Sequence, residues 1–211
     1  MVGDVAEHAH EPTHDEHRHG GRHCHDHGPA RWRGLVRWLY PYLHRNPPSN
    51  RLVVDLAGPG PDDRTLDVGC GPGAAVRAAA SVAREAVGVD PSVRMLKIAR
   101  RRSRGHSNVR FVEAPAHKLP FGDGEFDVAW TVHALHHWGD EGAGLAEVHR
   151  ILSPGGRLLV MEALDPGKPW GIGEEDVDRI SRLLREVGFT EVTRSNHASD
   201  GFDEVVLTAT R

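Results

Sequence analysis

The chain has 211 residues, two cysteines and a formal net charge of −4, from 26 basic and 30 acidic side chains. This length predicts one domain with a sizeable core. The cysteine count argues against a disulfide framework and favours the reducing cytoplasm. The sequence has no apolar run of about 18 residues, as a membrane span would need, and it lacks the residue order of a signal peptide. Because residues 1–30 hold two Arg and six Asp or Glu, residues 31–211 balance at 24 basic and 24 acidic groups, which argues against a general nucleic-acid binder.

Residues 1–29 are a separate, histidine-rich region that holds eight of the sixteen histidines and almost no large apolar side chain. Such a segment cannot build a core, so it is predicted to be disordered. Its His-x-His and His-Cys-His spacings predict weak binding of Ni, Zn or Cu; the alternative is a solvated extension with incidental metal affinity. The best candidate ligands are His23, Cys24, His25 and His27, followed by His14, His17 and His19.

Residues 30–48 are predicted to hold an N-terminal helix, because Trp32, Leu35, Val36 and Leu39 recur at helical spacing. One interpretation is a helix packed against the side of the domain. Another is a basic amphipathic helix that touches a membrane surface.

The stretch from Thr65 to Gly73, TLDVGCGPG, predicts a buried strand at 65–68, a tight glycine turn and a helix over 74–84. Glycines at alternate positions reach positive φ at little cost and let a ligand approach the backbone without meeting a Cβ atom. The N–H groups at the start of the helix add hydrogen-bond donors. Asp67 is predicted to lie where the strand ends, at the edge at which open α/β sheets bind ligands.

A second strand, predicted at 86–89, ends in Asp90, about 20 residues beyond the glycine turn. A carboxylate at this point can accept hydrogen bonds from both hydroxyls of a ribose. The turn meets the dinucleotide-binding fingerprint only in its relaxed form, with Ala74 in place of the last glycine. A nucleoside-containing cofactor is therefore predicted, and a nicotinamide-dependent oxidoreductase is one candidate.

The remaining elements alternate between helical and extended patterns, with no internal repeat. Ser49 is predicted to cap a helix over 50–57, and Pro91-Ser92 to open a third helix. Residues 165–173 are predicted to form either a plain connector or a small lid. The other predictions are strands at 109–112, 126–130, 157–163, 191–194 and 204–209, helices over 141–152 and 174–187, a break at Ser153–Gly156, and Gly188 as the residue that ends the last helix.

Taken together, these motifs resemble the class I S-adenosylmethionine (SAM)-dependent methyltransferases, and most closely the branch that contains quinone-biosynthesis C-methyltransferases. The resemblance implies a doubly wound α/β fold over 49–211, with a seven-stranded, mostly parallel sheet whose last strand is antiparallel. It also allows the N-terminal helix to act as a cap over the substrate opening. The blocks that carry it are LDVGCGPG (66–73), VGVDPSVRMLKIAR (87–100), LPFGDGEFDVAW (119–130), ALHHW (134–138), EVHRILSPGGRLLV (147–160) and LLREVGF (183–189).

The resemblance implies SAM as the cofactor. Family members usually carry an acid at the position of Pro115 to bind the adenine amino group, and proline cannot make this contact. The backbone N–H of Ala116 is then the expected adenine contact, with Glu113 as a substitute acid or a plain surface carboxylate. The cofactor-binding residues that follow are Asp67, Gly69, Cys70, Gly71, Gly73, Asp90, Pro91, Ala116, His117 and His133.

Three histidines follow the fourth predicted strand at the same edge of the sheet, and they are the candidates for a catalytic base: His133, His136 and His137. In relatives the His-His pair often holds this loop in place, and that is the alternative role. The balanced charge and the absence of an amino-methylating motif predict a small, partly apolar acceptor, which His133, His136, Trp138 and either Trp32 or Trp170 would contact.

The predicted function is methyl transfer from SAM to a small molecule by in-line displacement. A protein of another class is also compatible with the sequence: a metal-handling or metal-sensing protein that uses a SAM-binding fold with little turnover. The order of the blocks after residue 115 disfavours the nicotinamide-dependent oxidoreductase.

Overall fold

The computed structural model describes residues 48–168, 171–199 and 201–211. The histidine-rich tail, the predicted N-terminal helix up to residue 47 and Trp170 lie outside these ranges. The predictions of tail disorder, of a metal cluster at His23–His27 and of a capping helix therefore remain predictions.

Within the described ranges the chain alternates between helices and strands in the order expected of a doubly wound α/β domain. None of the helices seen there is long and apolar enough to cross a bilayer. The elements are α1 (Pro48–Ala57), β1 (Arg64–Val68), α2 (Ala74–Ala79), β2 (Glu85–Val89), α3 (Val93–Arg102), β3 (Val109–Val112), β4 (Phe126–Val132), a 3-10 turn (Leu135–His137), α4 (Glu141–Ile151), β5 (Leu152–Ala163), α5 (Glu174–Val187), β6 (Thr190–Ser199) and β7 (Phe202–Thr210).

The seven strands form one sheet in the order β3-β2-β1-β4-β5-β7-β6. Strands β1 to β5 pair in parallel, and β7 is antiparallel to both of its neighbours, β5 and β6. The predicted seven-stranded, mostly parallel sheet with an antiparallel last strand is thus confirmed. Strands β1 and β2, which end in the glycine turn and Asp90, both lie inside the sheet, where the carboxyl ends of parallel strands meet at one edge.

Apolar layers cover both faces of the sheet. On one face α4 and α5 bury leucine, isoleucine and valine side chains such as Leu145 and Ile180. On the other face α1, α2 and α3 contribute Val53, Val76 and Leu96. Because the central strands are covered on both sides, they carry nearly continuous apolar runs instead of the alternation of a half-exposed sheet.

Two predicted helix ends were wrong. Ser49 does not cap the first helix, because it lies within α1 and is buried. The helix begins at Pro48. Proline suits the first turn of a helix, where its missing N–H would have had no partner. The second helix ends at Ala79, several residues before the predicted end. The side-chain amide of Asn108 donates to the carbonyls of Ala80 and Ala83, at 2.9 and 3.1 Å, and so stabilises the turns that replace the expected helix.

The predicted break at Ser153–Gly156 is an irregular start to β5, which begins at Leu152. Phe126 of β4 pairs with Leu152, but Val128, two residues on, pairs with Arg157, so the extra residues of β5 bulge out. The last two strands are longer than predicted, and β6 lies at the edge of the sheet. Its largely exposed, polar residues lack the apolar alternation from which strand ends are read.

Candidate functional site

A cleft of about 650 Å³ opens at the carboxyl ends of β1, β2 and β4. It lies where the prediction placed a ligand site. Its lining includes Asn50, Val68, Gly69, Cys70, Gly71, Pro72, Ala74, Val89, Asp90, Pro91, Ser92, Met95, Ala114, Pro115, Ala116, His117, Val132, His133, Ala134, His137, Trp138 and Gly139.

The glycine turn after β1 forms the floor of this cleft. Gly69, Gly71 and Gly73 all have positive φ, at 82, 49 and 74°. The N–H groups of Gly69 and Cys70 both donate to the carbonyl of Val89, at 2.8 and 2.9 Å, and fasten the turn to β2. A Cβ atom on Gly71 would meet no protein atom within 4 Å, so the cleft side of the turn is open to a ligand.

Asp90 is held in a fixed orientation at the end of β2. Its Oδ2 accepts the N–H of Gly71 at 2.9 Å, and its Oδ1 accepts the N–H of Ser92 at 2.7 Å. Burial raises the pKa of Asp90, and these two backbone donors act in the opposite direction. Each carboxylate oxygen keeps a second lone pair, so Asp90 can accept two more hydrogen bonds from a ligand in the cleft.

Asp67 does not line the cleft, although the sequence predicted it as a cofactor contact. It is buried within β1, beside Trp130 at the paired position of β4. Burial raises the pKa of Asp67 to about 8; the indole of Trp130 partly offsets this effect and the charge of Asp90 adds to it. Asp67 therefore lies behind the floor of the cleft as a predominantly neutral carboxyl at pH 7.

The raised pKa of Asp67 predicts a specific pH dependence of stability. Below about pH 8 the folded protein holds this proton, whereas the unfolded chain releases it above about pH 4. The difference in proton affinity of Asp67 between the two states therefore contributes most to the free energy of unfolding below pH 4, and this contribution is lost as the pH rises to 8. Asp67→Asn, which resembles the protonated acid, should flatten the decline between pH 5 and 8. Denaturant unfolding at several pH values tests this; equal slopes in both proteins would contradict it.

Of the other predicted cofactor residues, Gly73 also lies outside the lining. It precedes α2, where a Cβ atom would approach the Phe111 ring to 2.8 Å. Cys70 lines the cleft, yet its thiol is buried, and burial raises its pKa well above the ordinary value. The remaining predicted residues lie on the lining: Gly69, Gly71, Asp90, Pro91, Ala116, His117 and His133.

The three candidate bases have different surroundings. His133 and His137 line the cleft, whereas His136 does not. The Nδ1 atom of His136 lies 3.0 Å from Glu162, and Glu162 also accepts the N–H of Leu135. His136 therefore holds the loop, as the alternative role anticipated. Burial and the nearby His136 lower the pKa of His137, which keeps that imidazole neutral at pH 7.

Sequence reasoning missed two buried glutamates beneath this loop. Glu162 on β5 is 1% exposed and Glu204 on β7 is fully buried. Glu204 lies 2.8 Å from Nε2 of His133. An acid inside an otherwise apolar strand was the available signal, in MEAL and DEVVL, because such a group is seldom buried without a partner.

The described residues contain no group of three or more His, Cys, Asp and Glu placed to hold a metal ion. The predicted tail ligands His23, Cys24, His25 and His27 lie outside those residues, and metal binding there remains a prediction.

A family model described as "Methyltransferase domain" matches residues 66–160. The chain is 40% identical over 125 residues to the ubiquinone/menaquinone biosynthesis C-methyltransferase UbiE of Ectopseudomonas mendocina, covering 56% of this chain and 49% of that protein. It is 36% identical over 147 residues to the 27-O-demethylrifamycin SV methyltransferase of Amycolatopsis mediterranei, covering 66% of this chain and 52% of that protein. The chain thus spans about half the length of these curated relatives.

Among solved structures, a SAM-dependent methyltransferase from Aquifex aeolicus superposes with a TM-score of 0.65 at 19% identity. The match covers 76% of this chain and 88% of that one. At this identity the superposition supports the fold alone. The family model covers the glycine turn, Asp90 and the loop after β4 that carries His133 and His137, and all three features contribute to the lining of the cleft.

Proposed function

The chain belongs to the class I SAM-dependent methyltransferases, and from that membership we propose that it transfers the methyl group of SAM to a small, partly apolar molecule. The two curated relatives described above are named for a quinone-biosynthesis C-methylation and for a demethylrifamycin. Their names favour acceptors of this kind over nucleic acid. The balanced charge of residues 31–211 favours the same conclusion.

The residues of the cleft fit the nucleoside end of SAM. Asp90 has both oxygens fixed by backbone donors and retains acceptor capacity for the two ribose hydroxyls. Gly71 leaves open the space that a Cβ atom would fill, so a ligand can lie directly on the turn. Since both groups lie on one continuous lining, they can contact the same molecule.

We assign the adenine end to residues 114–117, which line the cleft. Pro115 lines the cleft here, in the position at which the family usually carries an acid. Ala116 follows it on the lining, and its N–H is the donor we assign to an adenine ring nitrogen. Met95 supplies an apolar surface nearby on the lining. Adenine recognition in this protein would then depend on packing and one backbone donor instead of a carboxylate.

The acceptor end is assigned to the loop that follows β4. His133, His137 and Trp138 line the cleft there. The indole offers a flat apolar surface, and the two imidazoles offer polar atoms. The predicted contacts Trp32 and Trp170 lie outside the described residues.

When bound, SAM supplies a methyl group that is already activated by the positive charge on sulfur. The protein's task is therefore alignment, which can lower a barrier by about 7–11 kcal/mol. Asp90 and the glycine turn would hold one reactant, and the loop after β4 would hold the other. His137 can accept a proton from the acceptor at neutral pH because its lowered pKa keeps it unprotonated.

The observation that carries the proposal is Asp90 with two backbone hydrogen bonds beside an unobstructed glycine turn. Calorimetric titration of the full chain with S-adenosylhomocysteine and, separately, with NAD tests it. Binding of S-adenosylhomocysteine and no binding of NAD is expected. The reverse preference would identify the oxidoreductase that the relaxed fingerprint also allowed.

A further inference from the structure

The backbone N–H of Ala116 is a buried donor on the lining of the cleft. Ala116 is only 8% exposed. The described part of the chain provides no hydrogen-bond acceptor for this N–H, because the local turn is closed by the N–H of Lys118, which donates to the carbonyl of Pro115 at 3.1 Å. Buried backbone N–H groups nearly always have a partner. A ligand in the cleft can supply the missing acceptor.

The sheet places this donor next to the proposed ribose site. Strand β3 pairs in parallel with β2, with Val112 opposite Val89, so the loop after β3 begins beside Asp90. The N–H of Asp90 donates to the carbonyl of Val112 at 3.3 Å and fastens the two strand ends together. The glycine turn lies on the other side of Asp90, after β1. Residues 114–117 are therefore the adjacent wall for a base attached to a ribose at Asp90.

No carboxylate of the described residues lines this wall. Asp90 is the one acid on the lining, and its free acceptor capacity is assigned to the ribose. Glu113 is exposed and lies off the lining, so its position fits a plain surface carboxylate. His117 lines the cleft, but a neutral imidazole can either donate or accept and does not select for an amino group. Pro115 is exposed and lacks an N–H.

We propose that the cleft reads N1 of the cofactor's adenine through the N–H of Ala116 and leaves the 6-amino group unread, with Pro115 as the residue that determines this specificity. The inference rests on the proposed function. Adenine N1 carries a lone pair, so it can accept from the buried N–H. The neighbouring amino group lies beside the exposed Pro115 and keeps its contact with water. Removing the amino group then breaks no hydrogen bond to the protein.

The ligands that the cleft accepts follow from this pairing. A purine with hydrogen in place of the amino group keeps the lone pair on N1, so it should bind like adenine. Hypoxanthine has an oxygen at this place and carries a hydrogen on N1, so two donors would oppose each other. Since the N–H of Ala116 would then be buried without a partner, the affinity should fall by about 5- to 150-fold.

Calorimetric titration of the full chain with three ligands tests the proposal. They are S-adenosylhomocysteine, its 6-deamino analogue and S-inosylhomocysteine, which has the hypoxanthine base. The deamino analogue should bind within about threefold of S-adenosylhomocysteine, which is less than the loss of an ordinary hydrogen bond usually costs. S-inosylhomocysteine should bind at least about fivefold more weakly.

Pro115→Asp should give the cleft the discrimination that it lacks. Aspartate is favoured at the first position of a turn such as 115–118, so the fold should be retained. Its carboxylate can accept the amino group in a charge-assisted hydrogen bond, so the variant should prefer S-adenosylhomocysteine over the deamino analogue by at least about tenfold. Pro120→Asp is the matched control, because Pro120 is also exposed but lies off the lining. Its preference should stay that of the unaltered protein.

Four results would overturn the proposal. They are a loss of more than about threefold for the deamino analogue, equal binding of S-inosylhomocysteine and S-adenosylhomocysteine, no new preference in Pro115→Asp, and the same new preference in Pro120→Asp. Failure of the unaltered protein to bind S-adenosylhomocysteine would instead reject the proposed function.

Discussion

Replacing Asp90 by alanine is expected to weaken SAM binding by about 1.5–3 kcal/mol, or about 10- to 150-fold in Kd. The variant lacks the carboxylate, so the ribose hydroxyls lose hydrogen bonds that the negative charge strengthens. The N–H groups of Gly71 and Ser92 also lose their acceptor, so the turn would be less well ordered for the ligand. Calorimetric titration with SAM measures the change, and thermal unfolding checks that the variant is folded.

A matched control is Asp123→Ala. Asp123 is a carboxylate with 76% side-chain exposure, and its partner is Arg150. An exposed ion pair contributes little to stability, and Asp123 does not line the cleft. SAM affinity should therefore be unchanged in this variant. If Asp90→Ala bound SAM as tightly as the control, with its fold intact, the assignment of Asp90 to the ribose would be wrong.

Replacing Gly73 by alanine is expected to lower the free energy of unfolding by about 2–5 kcal/mol. Positive φ costs an alanine about 1–2 kcal/mol, and inserting a methyl group into a packed interior costs about 1–3 kcal/mol more. The new Cβ would lie 2.8 Å from the Phe111 ring and 3.1 Å from the Ala99 methyl group. Since whole domains are stable by only about 5–15 kcal/mol, much of the stability would be lost. Denaturant unfolding measures the difference.

Gly71→Ala is the matched control in the same turn. Gly71 also has positive φ, at 49°, but its Cβ would meet no protein atom within 4 Å. Stability should fall by only about 1–2 kcal/mol, from backbone strain alone. The methyl group would instead occupy the open side of the turn, so SAM binding should be lost while the fold survives. Equal stability losses in the two variants would contradict this division between a packing glycine and a ligand-facing one.

The parts of the site that could be predicted depend on local patterns. The apolar run before Gly69 predicts the strand, and the alternate glycines predict a turn that needs positive φ. The distance from this turn to Asp90 predicts that both lie at the ends of neighbouring strands. Each of these inferences uses residues close in sequence, or a spacing that one strand–helix–strand unit determines.

The parts that could not be predicted depend on contacts between distant segments. Glu204 meets His133 only because β7 inserts antiparallel beside β5, and no local pattern specifies that neighbour. Asn108 shortens α2 by bonding to carbonyls 28 and 25 residues before it. Asp67 was predicted as a ligand contact because it lies near the end of a strand, but it is buried in β1 at the position paired with Trp130 of β4 and does not line the cleft.

The most direct measurement of the central claim is to incubate the full chain with SAM carrying a tritiated methyl group and fractionated cell extract. The label should enter a small, partly apolar molecule, and Asp90→Ala should reduce the incorporation at limiting SAM. Label that entered protein or nucleic acid would contradict the proposed acceptor class. No incorporation into any fraction, by a protein that binds SAM in the calorimeter, would contradict methyl transfer itself.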